Sequence, residues 1–356
     1  MNRNVLSRRV LAGVALAALA LAGCGNNDEE PGAGDSSGAA SEFADLSGEL
    51  KASGASFPDA YYQAAIEGFA EVAPDVNITY NAVGSGTGKE EFGQGLTDFA
   101  GSDSLVKEGQ GPKAGEFLYV PTVAAPITVS FNVQGVDKLQ LSPDTLANIF
   151  SRKIKTWGDA AIKADNPGVN LPSTNITVVH RSDGSGTTSN FTKYLDAASD
   201  AWTLGSGDTV NWPSDTQGGE KNTGVAQLLK QASGSIGYVD LSDAKATGLK
   251  FAAIKNKDGQ FVEPSLEAAT AALEGAEIAE DLSYNPLNAA GAQAYPITSP
   301  TYLLIKTKYD DANKAKLVKG FLTYLLNDGQ KLAEGEDFAA LPQALKDKAL
   351  AQVAKI

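Results

Sequence analysis

The chain has 356 residues, 42% of them hydrophobic and 20% charged, which is enough apolar material for two packed domains and too little charge for a disordered chain. Its 29 Lys and Arg against 43 Asp and Glu give a net charge of −14, which excludes the electrostatic footprint of a nucleic-acid binder and argues, on its face, against a small anionic ligand. One His (His180) and one Cys (Cys24) leave almost no material for Cys/His metal sites or for catalysis that draws on several histidines.

Residues 1–23 carry Arg3, Arg8 and Arg9, then an apolar run from Val10 to Ala22 with no acid. That is a basic region followed by an apolar region of export-signal length, too short to span a membrane stably. It ends Leu21-Ala22-Gly23-Cys24, which resembles the lipobox of bacterial lipoproteins and implies removal of the leader before Cys24 and acylation of Cys24. An uncleaved anchor with an incidental Cys is the alternative, and the adjacent Arg8 and Arg9 leave a twin-arginine route open. Residues 24–47 then read as the lipidated Cys and a flexible acidic tether of Gly, Ser, Ala and acid with hardly an apolar anchor. Loss of the leader leaves 26 basic against 43 acidic residues, a charge of −17, and six of those acids lie on the tether, so about −11 falls on the folded part. The expected location is the outer face of the cytoplasmic membrane, held by lipid.

From Leu50 short β-branched runs alternate with helical periodicity, an α/β pattern. Leu50 to Ala52 leads into Gly54-Ala55-Ser56-Phe57-Pro58, after which Tyr62, Ile66, Phe69 and Ala73 fall at helical spacing; Ser56 stands where an N-cap would, with Pro58 in the first turn. Val76 to Tyr80 reads as a strand, followed by Gly84-Ser85-Gly86-Thr87-Gly88 and then a helix opened by Lys89-Glu90-Glu91-Phe92. Asp98 to Asp103 ends a third strand in a compact polar turn. Ile176 to His180 is a fourth, running into Arg181-Ser182-Asp183-Gly184-Ser185-Gly186-Thr187-Thr188 and a helix with Phe191, Tyr194 and Leu195 on one face.

A Gly/Ser/Thr turn feeding a helix offers unpaired N–H groups, hydroxyl donors and the positive end of the helix dipole, so it suits an anion. A single such turn is also an ordinary loop or cap. Three of them, with an Arg and an Asp, all beyond the carboxyl ends of strands where open α/β sheets bind ligands, point to one oxyanion site. Enzymatic patterns fail on spacing. A P-loop needs Gly at 83 and Ser or Thr at 90, where the chain has Val83 and Glu90. Neither Ser85 nor Ser185 sits in G-x-S-x-G, and no G-x-G-x-x-G closes. His180, at a strand end beside a loop, reads as structural rather than as a base.

Taken together, GASFP at 54–58, VGSGTG at 83–88, DFAGSD at 98–103, IFSRKIKTWGDAAI around Trp157, HRSDGSGTTSNF at 180–191, GSIGYVDLSDA at 234–244 and AYPITSPTYLLI at 294–305 resemble, in order, the phosphate-binding proteins of bacterial high-affinity phosphate ABC transporters. The resemblance implies a two-lobed periplasmic-binding-protein fold of type II, each lobe a mixed sheet flanked by helices, with a two-strand hinge near Val120–Thr128 and Tyr295–Thr301. Lobe I would be 48–124 plus 297–356, and lobe II 125–296. It also implies the ligand positions: Ser56, Phe57 through its backbone N–H, Ser85, Asp103 as acceptor, Arg181, and Ser185, Gly186 and Thr187, with Asp183 holding the Arg. His180 stands where some relatives have Arg. The implied partners are inorganic phosphate, as hydrogen or dihydrogen phosphate, and the permease subunits, with a monomer sufficient and no cofactor or metal required.

Asp103 carries a physical argument of its own. A carboxylate facing an oxyanion repels it unless the oxygen bears a proton, and phosphate carries one near neutrality where sulfate does not. The competing functions are a secreted phosphatase or phosphotransferase using Ser56 or Ser85, for which no base is apparent near either Ser, and the same fold binding sulfate or molybdate. Arg152, Lys153 and Lys155 beside Trp157 form either a permease-docking face or a solvated helix end.

Overall fold

A computed structural model describes residues 43–356. The leader, Cys24 and the tether up to residue 42 lie outside the described residues. Within residues 43–47, expected in the tether, Phe43 is buried, its ring centroid 5.5 Å from that of Phe69 and 6.4 Å from that of Tyr324, and Leu46 packs partly against the core, while Ala44, Asp45 and Ser47 stay exposed. One ring anchors this stretch because its partners come from distant segments, which local composition does not reveal.

The first run is β1 (Gly48–Gly54), α1 (Asp59–Val72), β2 (Val76–Ala82), α2 (Ser85–Gly93) and β3 (Phe99–Ser102), with β1 parallel to both β2 and β3. Next comes β4 (Phe117–Asn132), 16 residues long and buried along nearly all its length, then β5 (Gln140–Leu141), α3 (Pro143–Phe150), α4 (Ala160–Asp165), β6 (Thr177–Arg181) and α5 (Gly186–Ala198). They are followed by β7 (Gln217–Gly219), α6 (Lys221–Gln231), β8 (Ser235–Asp240), α7 (Leu241–Thr247) and the short strands β9 (Lys250–Phe251), β10 (Ala253–Lys255) and β11 (Phe261–Val262). The chain closes with α8 (Leu266–Leu273), β12 (Thr298–Lys306), α9 (Ala312–Leu326), β13 (Ala339–Ala340) and α10 (Gln343–Val353).

Strand order in the large sheet is β2-β1-β3-β12-β4-β8-β6-β7, with β9 and β13 also on β4; β11-β10-β5 form a small second sheet. β4 changes partner along its length. Phe117 to Pro126 pairs with β12, whereas Ile127 to Asn132 pairs with β8. Pro121, Pro126 and Pro300 each lack a ladder donor, and the β4–β12 register shifts between Pro300 and Tyr302. Val120–Thr128 lies within β4 as expected, but the second crossing strand begins at Thr298, later than Tyr295, because residues 295–297 complete a turn around Pro296.

Three helix starts differ from the sequence expectation. α1 has Pro58 at its N-cap and no side-chain cap, so Ser56 stands two residues outside the helix with its hydroxyl free for other partners. Its buried stripe is Tyr61, Tyr62, Ala65 and Phe69, with Ile66 only partly covered. α2 and α5 begin inside their glycine-rich turns, at Ser85 and Gly186, ahead of Lys89 and of Phe191. The glycines are helical here because only they fit: a Cβ on Gly88 would stand 2.3 Å from Gly54 Cα of β1. Gly88→Ala therefore pushes α2 off β1 and lowers the unfolding free energy by about 1–3 kcal/mol, as overpacking does. Gly275→Ala, with open space around it, is the control that should leave the thermal denaturation midpoint nearly unchanged.

Candidate functional site

Four turns meet at the carboxyl ends of β1, β2, β3 and β6. Ser56 follows β1, and its Oγ accepts the Asn222 N–H at 3.3 Å; the same Asn222 donates from Nδ2 to Thr187 Oγ1 at 3.2 Å, which ties the β1 turn to the first turn of α5. Phe57 buries its ring against Phe338, 5.7 Å between centroids, which fixes the backbone that follows Ser56. Ser85 opens α2 and lies against Asp103: its Oγ donates to Asp103 Oδ2 at 3.3 Å and lies 3.2 Å from the Asp103 N–H, which donates to it.

Arg181 ends β6, 3% exposed, with its guanidinium held by Asp183: Nε donates to Oδ1 at 2.7 Å and Nη2 to Oδ2. Asp183 is fixed in turn by the Lys221 N–H at 3.2 Å, and although burial pushes its carboxyl up, the hydrogen bonds and charge of Arg181 bring it below the ordinary carboxylate range. A Cβ on Gly84 would lie 2.7 Å from Asp183 Oδ2 and 3.5 Å from Arg181 Nη2, so the guanidinium tip borders the turn that precedes Ser85. Ser185 is a true N-cap, accepting the Thr188 N–H at 3.1 Å, while Gly86 donates across to the Gly184 carbonyl at 3.0 Å. The N–H groups of Gly186 and Thr187, in the first turn of α5, have no acceptor within the helix. A Cβ on Gly186 would stand 2.5 Å from Ser85 Oγ and 2.8 Å from Asp103 Oδ2; that position must be glycine for the turns to close on one another.

The residues expected to hold the ligand, with Asp183, thus fall in one cluster, while Cys24, the expected lipidation site, lies outside the described residues. His180 stays apart from it: its ring stacks on Trp212 at 4.7 Å, Nδ1 lies 2.8 Å from the Arg181 carbonyl oxygen, Nε2 lies 3.0 Å from Thr216 Oγ1, and burial lowers its pKa. The basic group near Trp157 is engaged locally. Arg152 donates to the Ile176 carbonyl, Lys153 to that of Ala201 and Lys155 to Asp215. One expectation is overturned: a carboxylate base does stand beside a site Ser, namely Asp103 beside Ser85, because the β3 turn folds across the start of α2.

Sequence reasoning missed Asn190, Asn222, Thr301 and Tyr238. Asn190, one turn into α5, donates to the Asp103 carbonyl at 2.6 Å and to Ser299 Oγ at 3.0 Å. Thr301 of β12 donates to Asp103 Oδ1 at 2.7 Å. Tyr238 of β8 accepts the Arg181 N–H at 3.1 Å and lies 2.7 Å from Thr188 Oγ1, joining β6 to α5. Among the described residues no group of three His, Cys, Asp or Glu is placed to hold a metal ion.

Asp103 is 2% exposed. Burial pushes its carboxyl up to about 7, against the hydrogen bond from Thr301, the charge of Arg181 and the hydrogen bond from Ser85, with Asp208 adding a smaller upward push. The cluster therefore offers hydroxyl and N–H donors and one cation, with a single acceptor whose charge is costly to keep.

The profile of a family described as a PBP superfamily domain matches residues 35–329. The phosphate-binding protein PstS of Methanocaldococcus jannaschii is 39% identical over 324 residues, covering 83% of this chain and 82% of that one. PstS2 of Mycobacterium bovis is 34% identical over 353 residues, 94% of each chain. Among solved structures, a high affinity periplasmic phosphate-binding protein bound with phosphate (PfluDING) superposes with a TM-score of 0.70 at 24% identity, over 85% of this chain and 93% of that one. A phosphate binding protein from Stenotrophomonas maltophilia gives 0.67 at 24%, over 86% and 94%. The fold is thus the type II periplasmic-binding-protein fold, a mixed α/β architecture.

The carboxyl of Asp103 provides a test that needs no ligand. A folded-state pKa of about 7 lies above the unfolded value of about 3.9, so between these values the folded state binds more protons and this group's contribution to stability falls as pH rises. Asp103→Asn removes the penalty. Its denaturation midpoint relative to wild type, both free of ligand, should rise from pH 5 to pH 8, and Thr301→Val should move the Asp103 carboxyl, followed by carbon NMR, still higher.

Proposed function

The chain belongs to the PBP superfamily and, within it, to the PstS phosphate-binding proteins, and on that premise we propose that it is an extracytoplasmic receptor that encloses one inorganic phosphate between two lobes and delivers it to the permease of an ABC transporter. The observation that carries this reading is a buried acceptor among donors: Asp103 faces the start of α5 across Gly186, with Ser85 and Arg181 beside it. An enclosed dianion needs a donor for nearly every lone pair, since each unmatched one costs on the order of 1–3 kcal/mol. Donors come from Ser56 and Ser85 hydroxyls, the Phe57, Gly186 and Thr187 N–H groups, the Ser185 and Thr187 hydroxyls and the Arg181 fork, which Asp183 orients from its far edge. Asp103 accepts a hydrogen bond from the ligand's P–OH, and sulfate, having no proton, either faces the carboxylate without a hydrogen bond or requires Asp103 itself to bind a proton, so its rejection should strengthen as pH rises through about 7.

The lobes in this reading are 48–124 with 297–356, and 125–296, a division supported by the change of partner in β4 after Pro126. Contacts from both lobes to one ligand favour the closed form, and closure reports occupancy to the permease. A monomer suffices. The chain is held to the membrane through acylated Cys24, on the lipobox pattern of Leu21 to Cys24.

The reading is non-catalytic. His180 has both ring nitrogens engaged. Asp103 beside Ser85 is a pairing a phosphatase could use, but Ser85 Oγ also accepts the Asp103 N–H, which occupies a lone pair that a nucleophile needs; the single Ser85 O–H, given to Asp103 without ligand, turns to the phosphate on binding.

Isothermal titration of the wild type should give tight phosphate binding and rejection of sulfate by on the order of 10⁴-fold, with no hydrolysis of an aryl phosphate. Asp103→Asn, which can donate to a fully deprotonated oxygen, should cut that ratio by about tenfold or more; a variant that rejects sulfate as strongly as wild type removes Asp103 from the explanation. Mass spectrometry of the membrane-extracted protein should find a mature chain beginning at a diacylated Cys24, and Cys24→Ser should release the protein from the membrane.

A further inference from the structure

Lys89 is 1% exposed, yet the phosphate site does not use it. It lies one turn beyond Ser85 on α2, and its ammonium meets three oxygens: Ser104 Oγ at 2.8 Å, the Leu105 carbonyl at 3.3 Å and Asp208 Oδ2 at 2.7 Å. The first two follow Asp103 in the chain. The third belongs to the segment between α5 and β7, and the Asp208 carbonyl accepts the N–H of Ser185, the N-cap of α5, at 3.0 Å. One ion pair therefore connects the segment carrying Ser85 and Asp103 to the segment holding the start of α5, and each end is one bond or one helical turn from a proposed phosphate ligand.

We propose that Lys89 and Asp208 form a closure latch, an ion pair made only when the two lobes meet, which retains phosphate by slowing reopening. The inference rests on the reading of this chain as a closing phosphate receptor. In an open form Lys89 keeps its bonds to Ser104 and Leu105 of its own lobe while its third donor and Asp208 are hydrated; on closure these lose water together and the ammonium has three acceptors for three donors, the condition under which burying an ion pair is tolerated. Neither side chain touches the ligand in this scheme, so both are positioning residues.

The surroundings make the two partners unequal. Lys107 Nζ lies 3.6 Å from where a Cβ on Gly207 would stand, beside Asp208. Lys193, on α5, is pushed down by burial and by the charges of Lys107 and Lys89, with Asp208 acting the other way. Asp208 is thus the acid shared by three lysines, although it also bears on Asp103. Removing Asp208 leaves three like charges facing one another, whereas removing Lys89 leaves Asp208 two other cations.

Stopped-flow binding and release of phosphate by the full chain tests the latch in Lys89→Met, Asp208→Asn and the double variant. Release should quicken about tenfold or more in Lys89→Met and further in Asp208→Asn, with association changed no more than a few-fold, and the double variant should be no faster than Asp208→Asn alone. In Asp208→Asn, which leaves the bonds of Lys89 to Ser104 and Leu105 in place, the denaturation midpoint without phosphate should stay near wild type while the rise on adding phosphate shrinks, which an ordinary structural ion pair would not produce. If Lys89→Met does not fold, Lys89→Gln, which keeps hydrogen-bond donors, takes its place with the same expectation. Unchanged release, additive effects, or equal loss of stability with and without phosphate overturns the latch alone. A wild type that takes up no phosphate overturns the receptor reading and the latch with it.

Discussion

Asp103 holds a carboxyl group stripped of water, and the elements around it are arranged by that fact. A desolvated carboxylate is tolerated only where donors replace its hydration. Thr301 supplies one from β12, Ser85 another from α2, and Arg181 acts through its charge from the end of β6. These partners come from chain positions 85 to 301, so the acceptor at the end of β3 fixes the meeting point of three separate parts of the sheet. The Asp103 carbonyl is held as well, by Asn190 of α5, which also reaches Ser299 in the crossing strand β12. The acceptor is therefore rigid in both its side chain and its backbone, which is what selection between a protonated and an unprotonated oxyanion requires.

Closeness of approach is the second constraint, and glycine meets it where it is needed. Gly186 allows α5 to begin against Ser85 and Asp103, and Gly84 lets the β2 turn touch the Arg181–Asp183 pair. The missing side chain of Gly88 lets α2 lie on Gly54 of β1, and that of Gly54 lets β1 approach Gly101 of β3. Packing and recognition share these positions, so a glycine replaced at the site disturbs the sheet beneath it as well.

The turns were legible in the sequence because each is local: a β-branched run, a Gly/Ser/Thr stretch and a helical stripe are read within a dozen residues, and the family resemblance supplied the order in which they meet. What was not legible is the set of contacts between turns. Thr301 reaches Asp103 across 198 residues, Asn222 reaches Ser56 across 166 and Lys89 reaches Asp208 across 119. No periodicity marks an Asn as a bridge or a Lys as buried; Lys89 follows a glycine turn and precedes two Glu, the pattern of a solvated helix face. The helix starts were misplaced for a related reason. Glycine lowers helix propensity in isolation, yet at Gly86, Gly88 and Gly186 tertiary packing decides the conformation. Phe43 shows the same limit from the other side, since a polar stretch reads as free until the aromatic floor made by Phe69 and Tyr324 is known.

The acidic balance of the chain looked hostile to an anion, and the geometry explains why it is not. Among the described residues the buried basic side chains are Lys89 and Arg181, and each is paired with an Asp, at 208 and 183. The two buried cations are therefore balanced locally; Asp59, Asp240 and Asp243 stand beside Ser56 and Phe57, and exposed acids farther out are screened over about 8 Å. In the proposed site, attraction comes instead from oriented N–H groups, hydroxyls and the first turn of α5, which are worth most after water has left. A site built this way does not need a basic protein around it. On the proposed reading it needs closure, because closure converts weak dipoles in water into strong donors in a dry enclosure, and pairing Lys89 and Arg181 with Asp208 and Asp183 lets the walls meet without a bare charge between them.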